Sequence, residues 1–291
     1  MGLNALSTWN LLQLLCGLGL LVAGAELLVR CAVSMAATLK VRPLLIGLTV
    51  VALGSSAPQM TVSLQAAFND TPDIAVGSVI GSNIFNVLVT LGLSALIIPL
   101  RVSRQLVRLD IPLMVIASAL VLALALNTEL DRLDGVILLC GLTGYLGLLL
   151  RQSRHGSHHH VSHDQPQHSW LRNVLMMLCA LLLLGLAGRL LLGAAVDVAT
   201  QLGLSERIIG LTIVAVCTSL PELATSLIAA FRGQREIAVG NVIGSNVFNL
   251  LGVLGITALV SPAPLSVSPN ALAFDLPVML GVAALCLPIF Y

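Results

Sequence analysis

Long apolar stretches alternate with short polar breaks along this chain. A helix needs about 20 apolar residues to cross a bilayer core of about 30 Å. By that measure the sequence predicts about nine spans, roughly over 10–32, 42–68, 74–99, 109–127, 133–151, 173–200, 207–231, 237–261 and 271–291. Turn formers and most of the charges fall between them: Lys40–Pro43, Asn69–Asp73, Pro99–Arg108, Thr128–Asp134, Arg151–Arg172, Gly203–Arg207, Arg232–Glu236 and Ser261–Asn270. The pattern predicts an all-α polytopic membrane protein. Composition excludes a soluble domain, with 57% hydrophobic and 9% charged residues and a mean hydropathy of +1.02. The first stretch has no basic leader and no small-residue cleavage site, so it reads as a retained helix, not a signal peptide.

A second pattern lies over the first. Gly47–Asn86 aligns without a gap to Gly210–Asn249, and about 23 of these 40 positions are identical. Each copy carries a polar insert, Ser55-Ser56-Ala57-Pro58-Gln59 and Thr218-Ser219-Leu220-Pro221-Glu222. Each ends in Gly-Ser-Asn-x-Phe-Asn, at Asn86 and Asn249. Five spans separate equivalent points, and an odd number inverts the second copy. The matching loops carry opposite charge: Asn69–Asp73 is acidic and Arg232–Glu236 is basic. The domain reading is a first repeat over 1–151, a linker over 152–172 and a second, inverted repeat over 173–291. Asp110-Ile-Pro echoes in Asp275-Leu-Pro, whereas the fifth span has no echo, so a ten-helix design is expected with its final helix missing.

Charge sets an expected orientation. Lys40, Arg42, Arg101, Arg104, Arg108, Arg151, Arg154, Arg172, Arg232 and Arg235 fall on one face, and only Arg132 and Arg207 on the other. The positive-inside rule puts the first group in the cytoplasm and the N-terminus outside. The linker holds His155, His158, His159, His160, His163 and His168 and reads as a cytoplasmic connector, with weak transition-metal binding as the alternative. The six cysteines show no ligand or disulfide spacing and read as packing residues. Glu26 aligns with Arg189, which suggests an ion pair between the first and sixth spans. Asp110 and Asp275 read as interfacial, and Asp197 as facing solvent or the mouth of a pathway.

Proline-broken polar inserts at matching places in two inverted halves are what an ion pathway through a membrane requires. Pro58 has no N–H, so a carbonyl about four residues earlier loses its helical partner. Freed carbonyls around Ala52 to Ser55 are costly in lipid unless something satisfies them, and hard cations seek oxygen ligands. Ser55, Ser56 and Gln59 add oxygens in one copy. Ala215, Thr218, Ser219 and Glu222 do so in the other, with Ser82, Asn86, Ser245 and Asn249 on the neighbouring spans. Glu222 stands out, because a mid-membrane carboxylate costs roughly 2.5–3.5 kcal/mol on insertion scales. The bland alternative is that the serines and threonines only pack helices together. No catalytic constellation lies within the spans, and an enzyme is not expected.

Thr218-Ser219-Leu220-Pro221-Glu222 and the Gly-Ser-Asn-x-Phe-Asn segments at 81–86 and 244–249 closely resemble the two repeat motifs of the sodium/calcium exchanger superfamily, in its bacterial form. The resemblance implies a ten-helix inverted-repeat fold, a cell inner (plasma) membrane location and exchange of Ca2+ for Na+. It implies no cofactor and no nucleic acid, and it leaves the oligomeric state open. Carried over by position, Ca2+ would be held by Glu222, the position of Gln59, and backbone oxygens of Ser55 and Thr218. Na+ would use Ala52, Ser56, Ser82, Ala215, Ser219, Ser245 and the oxygens around Asn86 and Asn249. The first and sixth helices would slide over this core.

The chain departs from the family at Gln59, where the first repeat motif has glutamate, and Cys217 replaces a motif glycine. Glu222 is then the one carboxylate of the core motifs, and Ca2+ affinity follows carboxylate count. Three readings stay open: Ca2+/Na+ exchange, monovalent-cation or proton exchange with weak Ca2+ transport, and a truncated, non-transporting paralogue.

Overall fold

The computed structural model describes residues 8–69, 71–100, 103–155, 170–203 and 209–290. It is built of helices in the order that hydropathy predicts. They are α1 (Thr8–Leu39), α2 (Pro43–Ser55 and Ala57–Phe68, bent by 42° between the segments), α3 (Pro72–Ile97), α4 (Leu106–Asn127), α5 (Arg132–His155), α6 (Trp170–Gln201), α7 (Thr212–Phe231), α8 (Arg235–Val260) and α9 (Ala271–Phe290). Eight are long and apolar enough to cross a membrane, and α2 makes nine among the described residues when its segments count as one span. The linker histidines His158, His159, His160, His163 and His168 lie outside the described residues. A two-residue antiparallel pair, β1 (Glu129–Leu130) with β2 (Leu265–Ser266), ties the α4–α5 and α8–α9 connections together.

Contacts between loops sort them onto two faces. Arg42 at the start of α2 pairs with Glu236 at the start of α8 at 3.0 Å, and Arg232 after α7 also lies on this basic face. On the opposite face, Ser266 donates to Asp73 at the start of α3 at 2.6 Å. The inverted repeat shows as reciprocal hydrogen bonds across the centre. The Asn83 amide donates to the Asn246 carbonyl and the Asn246 amide to the Asn83 carbonyl, both at 3.3 Å.

Apolar burial forms two clusters. The larger joins α2, α3, α4, α5, α8 and α9 around Ile80, Met114, Val121, Leu138 and Ile243. It takes no residue from α1 or α6. Those helices pack along each other and onto the ends of α2, α7 and α8 in the second cluster, through Leu21, Ala25, Leu28, Val29, Ala180, Leu184 and Ala187. Leucines that face outward, such as Leu15, Leu96 and Leu182, form the lipid-facing surface. Helices α2 and α8 cross closely at Gly244, where a Cβ would lie 2.6 Å from the Leu48 carbonyl oxygen.

Several expectations need correction. Glu26 does not pair with Arg189; it binds Arg30 on its own helix and Arg232. Inverted halves place equivalent residues on opposite faces, so aligned positions need not meet. Asp110, near the start of its span, is fully buried against neighbouring helices and ends a π-turn over Leu106–Asp110. Three of the cysteines, Cys16, Cys140 and Cys179, are exposed on the helix surface, not packed; Cys31, Cys217 and Cys286 are buried.

Candidate functional site

The two polar inserts meet at the centre of the molecule. In the first, the helix breaks at Ser56 (φ −82°, ψ 0°). In the second, Pro221 lies inside an uninterrupted helix, Ala215–Phe231. Both prolines remove a helical N–H. Only the first copy also has a glycine, Gly54, where the second has Cys217, and that added backbone freedom accompanies the break.

The carbonyls expected to be free are partly used. Ala52 O accepts the Ser56 N–H at 3.1 Å and the hydroxyls of Ser55 and Ser245 at 3.4 and 3.5 Å. Ala215 O accepts Thr218 at 3.1 Å and Ser82 at 3.3 Å. Hydroxyls rotate, so these oxygens can turn to another partner.

All the side chains proposed from sequence at this site are buried. Around Glu222, Ser56 donates to Oε1 at 2.8 Å. Ser55 reaches Asn241 Oδ1 at 3.1 Å and Ser245 Oγ at 3.3 Å. Around Gln59, both ends of the side-chain amide are engaged. Its Nε2 donates to Ser78 at 2.9 Å and Ser63 at 3.2 Å, and its Oε1 accepts Ser82 at 2.9 Å. Ser82 also lies 3.4 Å from the Thr218 hydroxyl, which joins the two halves.

Four oxygens in this cluster have no hydrogen-bond partner: Glu222 Oε2, Ser219 Oγ, Asn86 Oδ1 and Asn249 Oδ1. The two asparagines are held in place by their own amide nitrogens. Asn86 Nδ2 donates to Asn246 Oδ1 and Asn249 Nδ2 to Asn83 Oδ1, each at 3.1 Å. A buried oxygen without a partner is unfavourable, and each of these four can accept a proton donor or a cation. A hard cation stripped of water satisfies several oxygens at once. Among the described residues no group of three His, Cys, Asp or Glu residues could hold a metal, so amides, hydroxyls and carbonyls outnumber carboxylates in this donor set. π-turns begin at Asn86 and Asn249, and others lie over Gly47–Val51 and Ile209–Val214. Such turns often mark functional sites, because they shift a side chain relative to its helix face.

A cavity of about 610 Å3 leads to this cluster. It is lined by Pro58 and Thr61 of α2, Gly188, Arg189 and Asp197 of α6, and Thr218 of α7. Asp197 thus faces this cavity.

The sequence reading missed Ser63, Ser78, Asn83, Ser226, Asn241 and Asn246 as members of the network. A signal was present for most. Ser78 and Asn241 align across the repeats and precede Ser82 and Ser245 by four residues, which puts each on the same helix face as its partner.

Comparison with known proteins agrees with this geometry. The family model for the sodium/calcium exchanger protein matches residues 9–151 and 172–291. The inner membrane protein YrbG of Escherichia coli (strain K12) is 37% identical over 278 residues, covering 93% of this chain and 85% of that protein. The putative antiporter CaxA of Alkalimonas amylolytica is 38% identical over 255 residues, 85% of this chain and 80% of that protein. The sodium/calcium exchanger MaX1 of Methanosarcina acetivorans is 31% identical over 321 residues, 96% and 91%. The structure of the sodium-calcium exchanger NCX_Mj soaked with 2.5 mM Na+ and 0.1 mM Ca2+ superposes with a TM-score of 0.83 at 28% identity, covering 98% of this chain and 91% of that one. Two inverted repeats, their oxygen-lined centre and a match over nearly the whole chain make this protein a member of the sodium/calcium exchanger family.

Proposed function

We propose that the protein is a secondary antiporter that exchanges Ca2+ for Na+ across the cell inner (plasma) membrane by alternating access. The observation that carries the reading is the set of four partnerless buried oxygens around Glu222. Both ions are hard cations, so both would compete for Glu222 Oε2, Ser219 Oγ and the asparagine oxygens. Competition for overlapping ligands couples the two flows, because one ion must leave before the other is carried back. The names of MaX1 and NCX_Mj as sodium/calcium exchangers support the choice of ions. Ser55, Ser56, Thr218, Ser82, Ser245, Ala52 and Ala215 would complete the shells as their hydroxyls and carbonyls reorient. The basic face would be cytoplasmic, which places the N-terminus outside and the histidine linker inside.

Gln59 supports a second reading, monovalent-cation or proton exchange with weak Ca2+ transport. Its amide carries no charge, and both of its ends are already hydrogen-bonded to serines. Sodium-gradient-driven uptake of radiolabelled calcium into proteoliposomes separates the two. Uptake in the wild type that is lost in Glu222→Gln supports calcium exchange. No wild-type uptake, with uptake appearing in Gln59→Glu, assigns the natural site to another cation.

A further inference from the structure

The two halves are alike in sequence but differ in state. Ala25, Glu26 and Val29 of α1 align with Gly188, Arg189 and Leu192 of α6. Ala25 and Val29 are fully buried, in one cluster with Ala229 and Ala230 of α7 and Ile237 of α8. Gly188, Arg189 and Leu192 instead line the cavity. The basic face is therefore shut by α1, and the mirrored face stands open at α6.

Charge holds the shut face. Arg232, on the turn between α7 and α8, grips Glu26 with two nitrogens: Nε donates to Oε2 at 2.7 Å, and Nη2 to Oε1. Arg30 donates from Nε to Oε1 at 2.6 Å. The mate of Arg232 in the first repeat is Asn69, just past the end of α2. On the open face the long helix thus carries the guanidinium and the core carries a helix end, whose last carbonyls attract cations. Among the described residues Arg189 makes no ion pair with a carboxylate.

We propose that Glu26 and Arg232 are positioning residues of the exchange cycle. Their pairing keeps α1 closed over the basic face while ions reach the site from the opposite face. Arg189 is the matching device, docking at the end of α2 near Asn69 when the cavity shuts. Exchanging the conformations of two inverted halves yields the opposite-facing state. Because α1 and α6 stand outside the larger apolar cluster, they can move without unpacking it. The ion pair is partly exposed, with 43% for Arg232 and 27% for Glu26. It is therefore suited to being broken and remade in each cycle. This inference rests on the alternating-access reading but not on which ion is carried.

The test reads exposure, not flux. Val29→Cys and Leu192→Cys are made separately in a background with all six native cysteines replaced by serine, and a membrane-impermeant maleimide is applied to each face of oriented vesicles. Glu26→Gln is expected to raise labelling at position 29 from the basic face, and to lower labelling at position 192 from the opposite face. Each shift should be about two- to fivefold, the range that loss of such a pair allows. The swap Glu26→Arg with Arg232→Glu should restore both rates. Unchanged rates in Glu26→Gln, or a shift that the swap leaves in place, would overturn the proposal. If Glu26→Gln does not fold, a disulfide between Glu26→Cys and Arg232→Cys serves. Labelling at 192 should then stay at its open level whatever the sodium concentration, and a change with sodium under oxidation would overturn the proposal. A protein that shows the reciprocal labelling but no calcium flux would refute the choice of ion and leave the pairing intact.

Discussion

Replacing Gly244 by alanine tests how closely the site depends on one helix crossing. The new Cβ would sit 2.6 Å from the Leu48 carbonyl oxygen, 2.8 Å from Leu48 Cα and 2.8 Å from Ala52 Cβ. Two of these neighbours are backbone atoms of a packed helix and cannot rotate away. Ordinary contact begins near 3.4 Å, so α2 and α8 must separate by about 0.8 Å at this point. The next residue, Ser245, reaches Ala52 O at 3.5 Å and Ser55 Oγ at 3.3 Å, and Asn241 reaches Ser55 at 3.1 Å. A shift of that size takes all three out of hydrogen-bond range. Overpacking costs about 1–3 kcal/mol, and each of the three lost bonds adds about 1 kcal/mol, so we expect a loss of roughly 4–6 kcal/mol. At about 2 °C per kcal/mol for a chain of this size, melting in detergent should fall by about 8–12 °C, and sodium-driven uptake should be largely lost. Gly92→Ala is the control, since a Cβ there meets nothing within 4 Å. If Gly244→Ala melts with Gly92→Ala and still exchanges ions, the reasoning from close helix approach to site geometry is wrong.

Three further outcomes are expected. Ser56→Ala removes the 2.8 Å donor to Glu222 Oε1; a hydrogen bond to a charged group is worth about 1.5–3 kcal/mol, and the half-saturating ion concentration in flux assays should rise about tenfold or more. Asn241→Ala strips partners from Ser226, Ser55 and the Glu222 carbonyl, so melting and uptake should both drop, whereas the control Gly92→Ala should change neither. Asp110→Asn replaces a fully buried carboxylate whose Oδ1 has no partner and whose Oδ2 has only a 3.4 Å contact from Gln105; melting should hold or rise, and a drop of several degrees would show that the charge itself is required.

Much of the site was legible because membrane helices leave few alternatives for a polar residue. Ser55, Ser56, Gln59, Thr218, Ser219 and Glu222 stand in apolar surroundings, where each oxygen needs a reason. The roles of Gln59 and Glu222 were not legible. One letter separates them in the repeat, yet both ends of Gln59 are bonded to serines while Glu222 keeps one oxygen without a partner. Ser63 and Ser78 create that difference, and their positions around Gln59 depend on how α2 packs against α3. Likewise Asn83 and Asn246 were not singled out in the motif, yet they serve as anchors that aim Asn86 and Asn249.

The sequence by itself determined the spans, the inverted repeat and the residue types at the centre. Hydropathy and self-similarity are properties of the chain alone, and a bilayer allows a buried backbone little but helix. Tertiary structure decided which faces are shut and which oxygens are free. Alignment paired Glu26 with Arg189, but packing gave Glu26 to Arg232 and left Arg189 in a cavity. Two equal halves can adopt unequal conformations at little cost in local propensity. Which half is closed at a given moment depends on contacts between helices distant in the chain, and these are not encoded in either copy alone.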